Sequence, residues 1–248
     1  MFAGLLTAWA TAAAAVDCKD IAYEGNRYTV CEADLATDDL RLFLRDSAGE
    51  VYGHFSRLEE DLRQQGLELR FATNAGMYHA DRSPVGLYRE TDKDEMRLIT
   101  NPGPGNFGLL PNGVFCISEN KAQVIETLAF QSTSPDCQYA TQSGPMLVID
   151  GALHPRFLPE STSFFVRNGV GTSADGQRAV FVISRNAVSF HQFGSLFRDK
   201  LMLPNALYFD GNISRLHAPD IDRSDAGFRM GPIVGIVAPL DHGSDTTN

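Results

Sequence analysis

Short apolar runs alternate with polar, glycine-containing segments along most of the chain. Several runs are nearly continuous stretches of Val, Ile, Leu, Phe and Ala, which is the pattern of strands that are covered on both faces. These runs lie at residues 67–73, 114–118, 146–149, 163–166, 179–184, 206–209 and 233–237. The pattern therefore predicts a protein built mainly from β-strands.

Two other segments, residues 56–65 and 190–201, have the apolar periodicity of helices. Each begins with the residue spacing of a capping box: Ser56 with Glu59, and Ser189 with Gln192. Because strands outnumber helices, we predict the α+β class, with a large mixed β-sheet core and a few packed helices in a single domain. The order of the strands does not follow from this pattern.

The composition supports one folded domain and narrows the class of partner. The chain has 248 residues and is 43% hydrophobic, which is enough for a core and too much for a disordered chain. A net charge of −10 and a pI near 5.0 leave no basic surface to neutralise phosphates, so we expect no nucleic-acid partner. One local arginine can still bind one phosphate, so the composition is compatible with a small phosphorylated ligand.

The first 15 residues are apolar, alanine-rich and uncharged, as in a secretory signal peptide, although the usual basic residues before the apolar stretch are missing. A disordered N-terminus is the alternative. The stretch is shorter than the roughly 20 apolar residues that cross a bilayer. We therefore expect a signal peptide at 1–15, a domain at 16–248, no membrane span, and a periplasmic or secreted location.

Four cysteines follow this stretch, at Cys18, Cys31, Cys116 and Cys137. An even number in an exported protein favours two disulfides. Local closure favours Cys18 with Cys31 and Cys116 with Cys137, which is one of three possible pairings. Four buried free thiols are the better interpretation if the chain is not exported.

Polar residues beside glycines follow several apolar runs, where loops at the rim of a sheet commonly form sites. Asp210 ends an apolar run and precedes a glycine. This arrangement either presents a carboxylate to a cleft or is an ordinary Asp-Gly turn. Arg167 also ends a run, and it can hold a phosphate or cap a strand at the surface. His191 falls in the first turn of the second helix, where the helix dipole favours a neutral proton acceptor, or an ordinary exposed histidine.

The same segments supply candidate substrate-binding residues with amide, hydroxyl or backbone groups suited to sugar and phosphate oxygens. They are Asn74, Gly76, Gln142, Ser143, Gly144, Asn168, Gly211 and Ser214. Asp81 or Arg82 could reach the same rim. The G-x-S-x-G elbow of hydrolases is absent from the sequence, and nothing in it resembles a cluster of metal ligands, so we expect no metal and no cofactor.

Four of these segments, taken in order, resemble the phosphodiester glycosidase family. They are Asn74-Ala75-Gly76-Met77-Tyr78, Gln142-Ser143-Gly144-Pro145-Met146-Leu147, Arg167-Asn168-Gly169-Val170-Gly171 and Ala206-Leu207-Tyr208-Phe209-Asp210-Gly211. The resemblance covers about residues 67–237 and is greatest to the short bacterial members, which share stretches like 83–88 and 230–235. Asn212 stands where the family usually has a second glycine after the aspartate.

The resemblance implies an exported hydrolase that cleaves the glycosidic C–O bond of a sugar-1-phosphodiester in cell-envelope or exopolysaccharide material. In that reaction Arg167 would hold the departing phosphate, and Asp210 would activate water or stabilise positive charge on the sugar. His191 would assist proton transfer, while Asn74 and Ser143 would orient the substrate. The departure at Asn212 keeps an alternative open, a non-catalytic glycan-binding or polysaccharide-assembly factor with the same fold.

Overall fold

The strands form three sheets in which every pair between residues 16 and 240, the residues that the computed structural model describes, is antiparallel. The expected signal peptide at 1–15 lies outside the described residues. The strands are β1 (Asp17–Tyr23), β2 (Asn26–Asp34), β3 (Asp39–Phe43), β4 (Leu67–Asn74), β5 (Tyr88–Glu90), β6 (Lys93–Met96), β7 (Gly113–Ser118), β8 (Lys121–Glu126), β9 (Tyr139–Ser143), β10 (Met146–Ile149), β11 (Ala152–Leu153), β12 (Asn168–Thr172), β13 (Arg178–Ser184), β14 (Asn205–Asp210), β15 (Leu216–Ala218), β16 (Arg223–Ser224) and β17 (Ile233–Pro239).

The first sheet has seven strands in the order β1-β2-β13-β12-β14-β10-β11. The second has the order β16-β15-β4-β17-β3, and the third has the order β6-β5-β9-β7-β8. The predicted α+β class is confirmed, with three antiparallel sheets in place of one large mixed sheet. Many neighbouring strands are joined by short turns, and such connections favour antiparallel pairing.

The inner faces of the three sheets share one core. Phe181 of the first sheet packs on Phe71 of the second, with ring centroids 4.9 Å apart, and on Phe115 of the third, at 5.9 Å. Along β13, Phe181 and Ile183 face this core, whereas Val180 and Val182 face a second cluster beneath a helix. A strand covered on both faces needs apolar residues at every position, which explains the continuous run in the sequence.

Each sheet carries a helix on its outer face: α1 (Phe55–Gln64) on the second sheet, α2 (Thr127–Thr133) on the third and α3 (Phe190–Ser195) on the first. A π-helical turn at Leu196–Lys200 extends α3 to nearly the predicted length. The predicted capping box of α3 is confirmed, with Ser189 Oγ accepting from Gln192 N at 3.2 Å. Between residues 16 and 240, no helix is long and apolar enough to cross a membrane.

The predicted capping box of α1 is wrong, although the helix starts within one residue of the predicted position. The helix begins after His54, so Ser56 is inside its first turn and does not occupy the cap position. The short helix α2 was not predicted. Its N-cap is Glu126, whose carboxylate accepts from the backbone of Leu128 and Ala129 at 2.9 Å. The helix has too few residues to show a period.

The predicted strand at 163–166 is also wrong. Phe165 pairs with Val188 as an isolated bridge, and Phe164, Phe165 and Val166 are 48%, 47% and 39% exposed. The strand β12 begins only at Asn168, which pairs with Asp210 at the end of β14. Because β14 stops there, the preceding apolar residues have no neighbouring strand on that side and remain at the surface.

Both expected disulfides are present, Cys18–Cys31 and Cys116–Cys137. The first links directly opposite residues of β1 and β2. The second ties β7 to the residue two positions before β9, within the third sheet. The pairing expected from local closure is therefore confirmed.

Candidate active site

A cleft of about 630 Å³ lies where the ends of β4 and β14 meet. It is bounded by residues of the 77–85 loop, the 104–107 loop, Phe165, Tyr208 and the segment 210–213. The 77–85 loop folds back as a hairpin, with Val85 N donating to Met77 O at 3.0 Å. The loops that follow two strands of different sheets thus form opposite parts of one cleft.

Asp210 is the carboxylate of this cleft. As the last residue of β14, it directs Oδ1 to the backbone N–H groups of Gly211 at 2.6 Å and Asn212 at 2.9 Å, which fixes the side chain in an Asx turn. Both of these bonds go to Oδ1, and the backbone of Ile213 also interacts with the carboxylate. Burial raises the pKa of the Asp210 carboxyl above its ordinary value, and the bonds from Asn212 and Gly211 oppose that rise.

Two buried asparagines hold the end of β14 against β4. Asn168 Oδ1 accepts from Asp210 N at 3.1 Å and from Asn74 Nδ2 at 3.3 Å, and Asn168 Nδ2 donates to Asn74 O at 3.0 Å. Asn74 Oδ1 accepts from Arg215 N at 3.0 Å. Both side chains are engaged in these bonds within the protein, so Asn74 and Asn168 hold the strand ends that border the cleft.

Gly211 and Ser214 shape the loop after Asp210. A Cβ placed on Gly211 would lie 2.1 Å from Tyr208 Oη, so only glycine leaves room for that hydroxyl. Ser214 Oγ lies 3.1 Å from the carbonyl oxygens of both Val166 and Asp210. Ser214 thereby ties the loop to the residues just before Arg167.

Arg167 is fully buried and lies outside the cleft lining. Its guanidinium donates to Val188 O at 2.9 Å and to Ser163 O at 3.0 Å, and its Cζ is 3.7 Å from the centroid of the Phe190 ring. Burial lowers the pKa of Arg167. Its Cζ lies 5.4 Å from the centroid of the Tyr208 ring, which lines the cleft, and its buried Nη1 has no hydrogen-bond partner among residues 16–240.

The other predicted residues lie further from the cleft. His191 is on the first turn of α3, near Asp199, and is not among the residues that line the cleft. Ser143 Oγ donates to Phe209 O at 3.0 Å, one residue before Asp210. The side-chain amide of Gln142 forms hydrogen bonds with backbone groups of Leu87 and Ile99.

The two predicted glycines of these segments meet protein atoms. A Cβ on Gly76 would lie 2.9 Å from Thr141 Oγ1, and a Cβ on Gly144 would lie 2.6 Å from Asn112 Cβ. Both glycines therefore allow close packing of the chain on itself behind the cleft.

Tyr78, for which the sequence predicted no role, lines the cleft with Arg82. Arg82 Cζ lies 5.5 Å from the centroid of the Tyr78 ring. Within the described part of the chain, buried Tyr78 Oη and Arg82 Nε have no hydrogen-bond partner. Burial, reinforced by the charge of Asp210, raises the pKa of Tyr78 to about 12, so its hydroxyl stays a donor at neutral pH. The sequence predicted that Asp81 or Arg82 could reach this rim, and Arg82 does line the cleft, whereas the position of Tyr78 opposite the Asp210 loop depends on tertiary structure.

No group of three or more His, Cys, Asp or Glu residues between positions 16 and 240 is arranged to hold a metal ion. The polar groups that line the cleft include the Asp210 carboxylate, the Arg82 guanidinium, the His79 imidazole, and the hydroxyls of Tyr78 and Tyr208. Such a cleft can bind an anionic, hydroxyl-rich ligand and can accept a proton from it or from water.

Two solved structures share this fold. A hypothetical protein from Synechocystis matches 89% of this chain with a TM-score of 0.58 and 13% identity, and this chain spans 61% of that protein's length. The catalytic domain of zebrafish N-acetylglucosamine-1-phosphodiester alpha-N-acetylglucosaminidase, auto-inhibited by its pro-peptide, matches 89% of this chain and 81% of its own, with a TM-score of 0.57 and 11% identity. At these identities the likeness concerns the fold alone.

The sequence comparisons are more specific. The uncharacterised protein YigE of Escherichia coli (strain K12) is 36% identical over 208 residues, which cover 83% of this chain and 80% of YigE. The phosphodiester glycosidase family matches residues 68–218, a range that runs from β4 to β15 and includes Tyr78, Arg82 and Asp210. The chain therefore belongs to the phosphodiester glycosidase family.

Proposed function

We propose that this protein is an exported hydrolase that cleaves the glycosidic C–O bond of a sugar-1-phosphodiester. The observation that carries the proposal is the presence, in one cleft, of the partly buried Asp210 carboxylate and the Arg82 guanidinium. The reaction needs an anionic group at the sugar and a cationic group at the phosphate. The glycosidase family to which the chain belongs supports this type of reaction.

In the proposed step, a water oxygen bonds to the anomeric carbon while the bond from that carbon to the phosphate oxygen breaks. The phosphate leaves as a monoester anion, and Asp210 takes the proton of the attacking water. Ionised Asp210 also offsets the positive charge that develops on the sugar. The Asx turn that fixes Oδ1 leaves Oδ2 as the atom for this role.

The phosphate would be bound by Arg82 and Tyr78. Arg82 Nε and Tyr78 Oη are buried donors that lack a partner among the described residues, and a phosphate oxygen would satisfy either of them. Because a phosphate is a good leaving group, stabilising its charge matters more than protonating it. In this scheme Arg82 takes the phosphate-binding role predicted for Arg167, because Arg82 lines the cleft and Arg167 does not.

Arg167 acts in this scheme as a positioning residue. It fixes the Ser163 and Val188 carbonyls and lies beside the Tyr208 ring, and Tyr208 lines the cleft. Asn74, Asn168 and Ser214 position the Asp210 loop, and His191 takes no step. Two disulfides support export, because such bonds persist in oxidising compartments.

The test uses the methyl phosphodiester of α-N-acetylglucosamine-1-phosphate, chosen after the substrate named for the zebrafish relative. We expect Asp210→Asn to lower kcat by about 100-fold or more, in the range for loss of a general base. Asp150→Asn is the matched control, because it is the same chemical change at an exposed residue, on the turn between β10 and β11, that does not line the cleft.

Reaction in oxygen-18 water identifies the bond that breaks. Label in the free sugar is expected, since water attacks carbon. Label in the phosphate product, or full activity in Asp210→Asn, would contradict the proposal. Saturable binding without any product would favour the non-catalytic glycan-binding alternative.

A further inference from the structure

Three consecutive apolar side chains stand exposed beside the cleft. Phe164, Phe165 and Val166, here named the apolar strip, are 48%, 47% and 39% exposed. The sequence pattern predicted that they would be buried in a strand. Scattered exposed apolar residues are common, but a contiguous run next to a functional cleft commonly marks a binding surface.

The strip is held in place by partners at both ends. Phe165 and Val188 exchange two backbone hydrogen bonds, of 3.2 and 2.9 Å, and Ser214 Oγ lies 3.1 Å from Val166 O. Buried Arg167 donates to Ser163 O at 3.0 Å, just before the strip. The exposure therefore belongs to a fixed conformation, and a ligand that binds there need not order a loose loop first.

The strip is continuous with the interior of the cleft. Phe165 belongs to both, and its Cβ is 3.6 Å from the position that a Cβ on Gly211 would occupy, one residue after Asp210. Inside the cleft, Val85 and Phe107 add further apolar surface. Apolar side chains therefore lie both inside the cleft that holds the carboxylate and at its edge, where Phe165 joins the strip.

We propose that the apolar strip binds a hydrocarbon aglycone, so that the substrate is a sugar joined through its phosphodiester to an alkyl or other lipid chain. This inference rests on the proposed function and adds the class of leaving group. The strip carries hydrocarbon side chains alone, whereas a saccharide aglycone would need donors and acceptors for its hydroxyls. The net charge of −10 disfavours an anionic bilayer surface as the occupant.

The test measures binding by titration calorimetry, using methyl and octyl phosphodiesters of α-N-acetylglucosamine-1-phosphate with Asp210→Asn to prevent turnover. Each buried methylene contributes about fourfold in affinity, so covering two or more gives the octyl ester at least a tenfold lower Kd. We expect Phe164→Ser and Phe165→Ser, each added to this variant, to reduce that ratio to threefold or less. Leu128→Ser is the matched control, since Leu128 is 56% exposed on α2, outside the cleft.

Equal affinity for the two esters, or no binding of either, would overturn the inference. So would a preference for an ester with a mannose aglycone over the octyl ester. A chain-length preference that survives both serine variants would show that the hydrocarbon binds elsewhere and would also overturn it. Turnover of the methyl ester by the parent protein is scored separately, so failure of the aglycone assignment and failure of the hydrolase assignment are distinguishable.

Discussion

Asp210 and Asp150 show how position gives one carboxylate its chemistry. Both are followed by glycine, and the sequence around each is typical of a turn. Asp150 is exposed, whereas Asp210 is partly buried at the end of β14 with its pKa raised by burial. The Asp210 carboxylate is thus a stronger base than an exposed aspartate, at some cost to the stability of the folded protein.

This cost leads to a prediction about stability and pH. A carboxyl group with a raised pKa in the folded state favours folding when protonated, and that contribution is lost as the pH rises through the folded pKa. We expect Asp210→Asn, which removes the charge and keeps an acceptor at Oδ1, to have a higher Tm than the parent at pH 7. The difference should shrink as the pH falls through the raised pKa, as measured by calorimetry at several pH values.

Asp150→Asn again provides the control, and its Tm should match that of the parent within about 1 °C at every pH, because exposed substitutions change stability little. A lower Tm for Asp210→Asn at pH 7 would contradict the burial argument. It would mean that the ionised carboxylate contributes more through its bonds to the 211–212 backbone than it costs through burial.

At the scale of elements, the strands were easier to predict than their arrangement. The run at 179–184 was recognisable because β13 is covered on both faces, so its residues are apolar at every position. The run at 163–166 has the same composition but no neighbouring strand, and its position depends on where β14 ends. Composition therefore identified the runs, and tertiary pairing decided which became strands.

The site shows the same limit. That Asp210 and Arg82 lie at a cleft was predictable from the turn-rich segments around them, but Tyr78 reaches it only because β4 of one sheet ends near β14 of another. Arg167 had the expected residue type and position, yet its side chain turns into the protein toward two carbonyls. Local sequence indicates where a residue lies along a strand or turn, but it does not indicate which groups its side chain contacts.

The contact between these two elements can be tested at Asn168. Asn168→Ala removes the bonds to Asp210 N and Asn74 O and leaves buried groups of both strands unpaired. We expect the free energy of unfolding to fall by about 1–3 kcal/mol, measured by urea denaturation. Asn120→Ala, an exposed position on the β7–β8 turn, should change it by less than about 0.5 kcal/mol. Equal effects of the two substitutions would show that the asparagine network does not join the sheets.

At the scale of the whole molecule, the two disulfides have unequal surroundings. Cys116 and Cys137 are buried in the apolar cluster between the third sheet and α2, and they close a separation of 21 residues. The Cys18–Cys31 bond closes a separation of 13 residues and attaches β1, an edge strand with mostly exposed side chains. The first bond therefore lies within the cooperative core, and the second holds a strand at the margin.

We expect the two bonds to differ in what their removal unfolds. The double variant Cys116→Ala/Cys137→Ala should lose about 3 kcal/mol of global stability. Without the bond, the unfolded chain regains the conformational entropy that closing a loop of this size had removed. Cys18→Ala/Cys31→Ala should instead let β1 open locally, because few buried contacts hold it once the bond is gone. Hydrogen exchange would then show loss of protection in β1 while β13, an interior strand of the first sheet, keeps the slow exchange of the parent. Uniform loss of protection in both variants would contradict this, because it would mean that the edge strand and the core unfold as one cooperative unit.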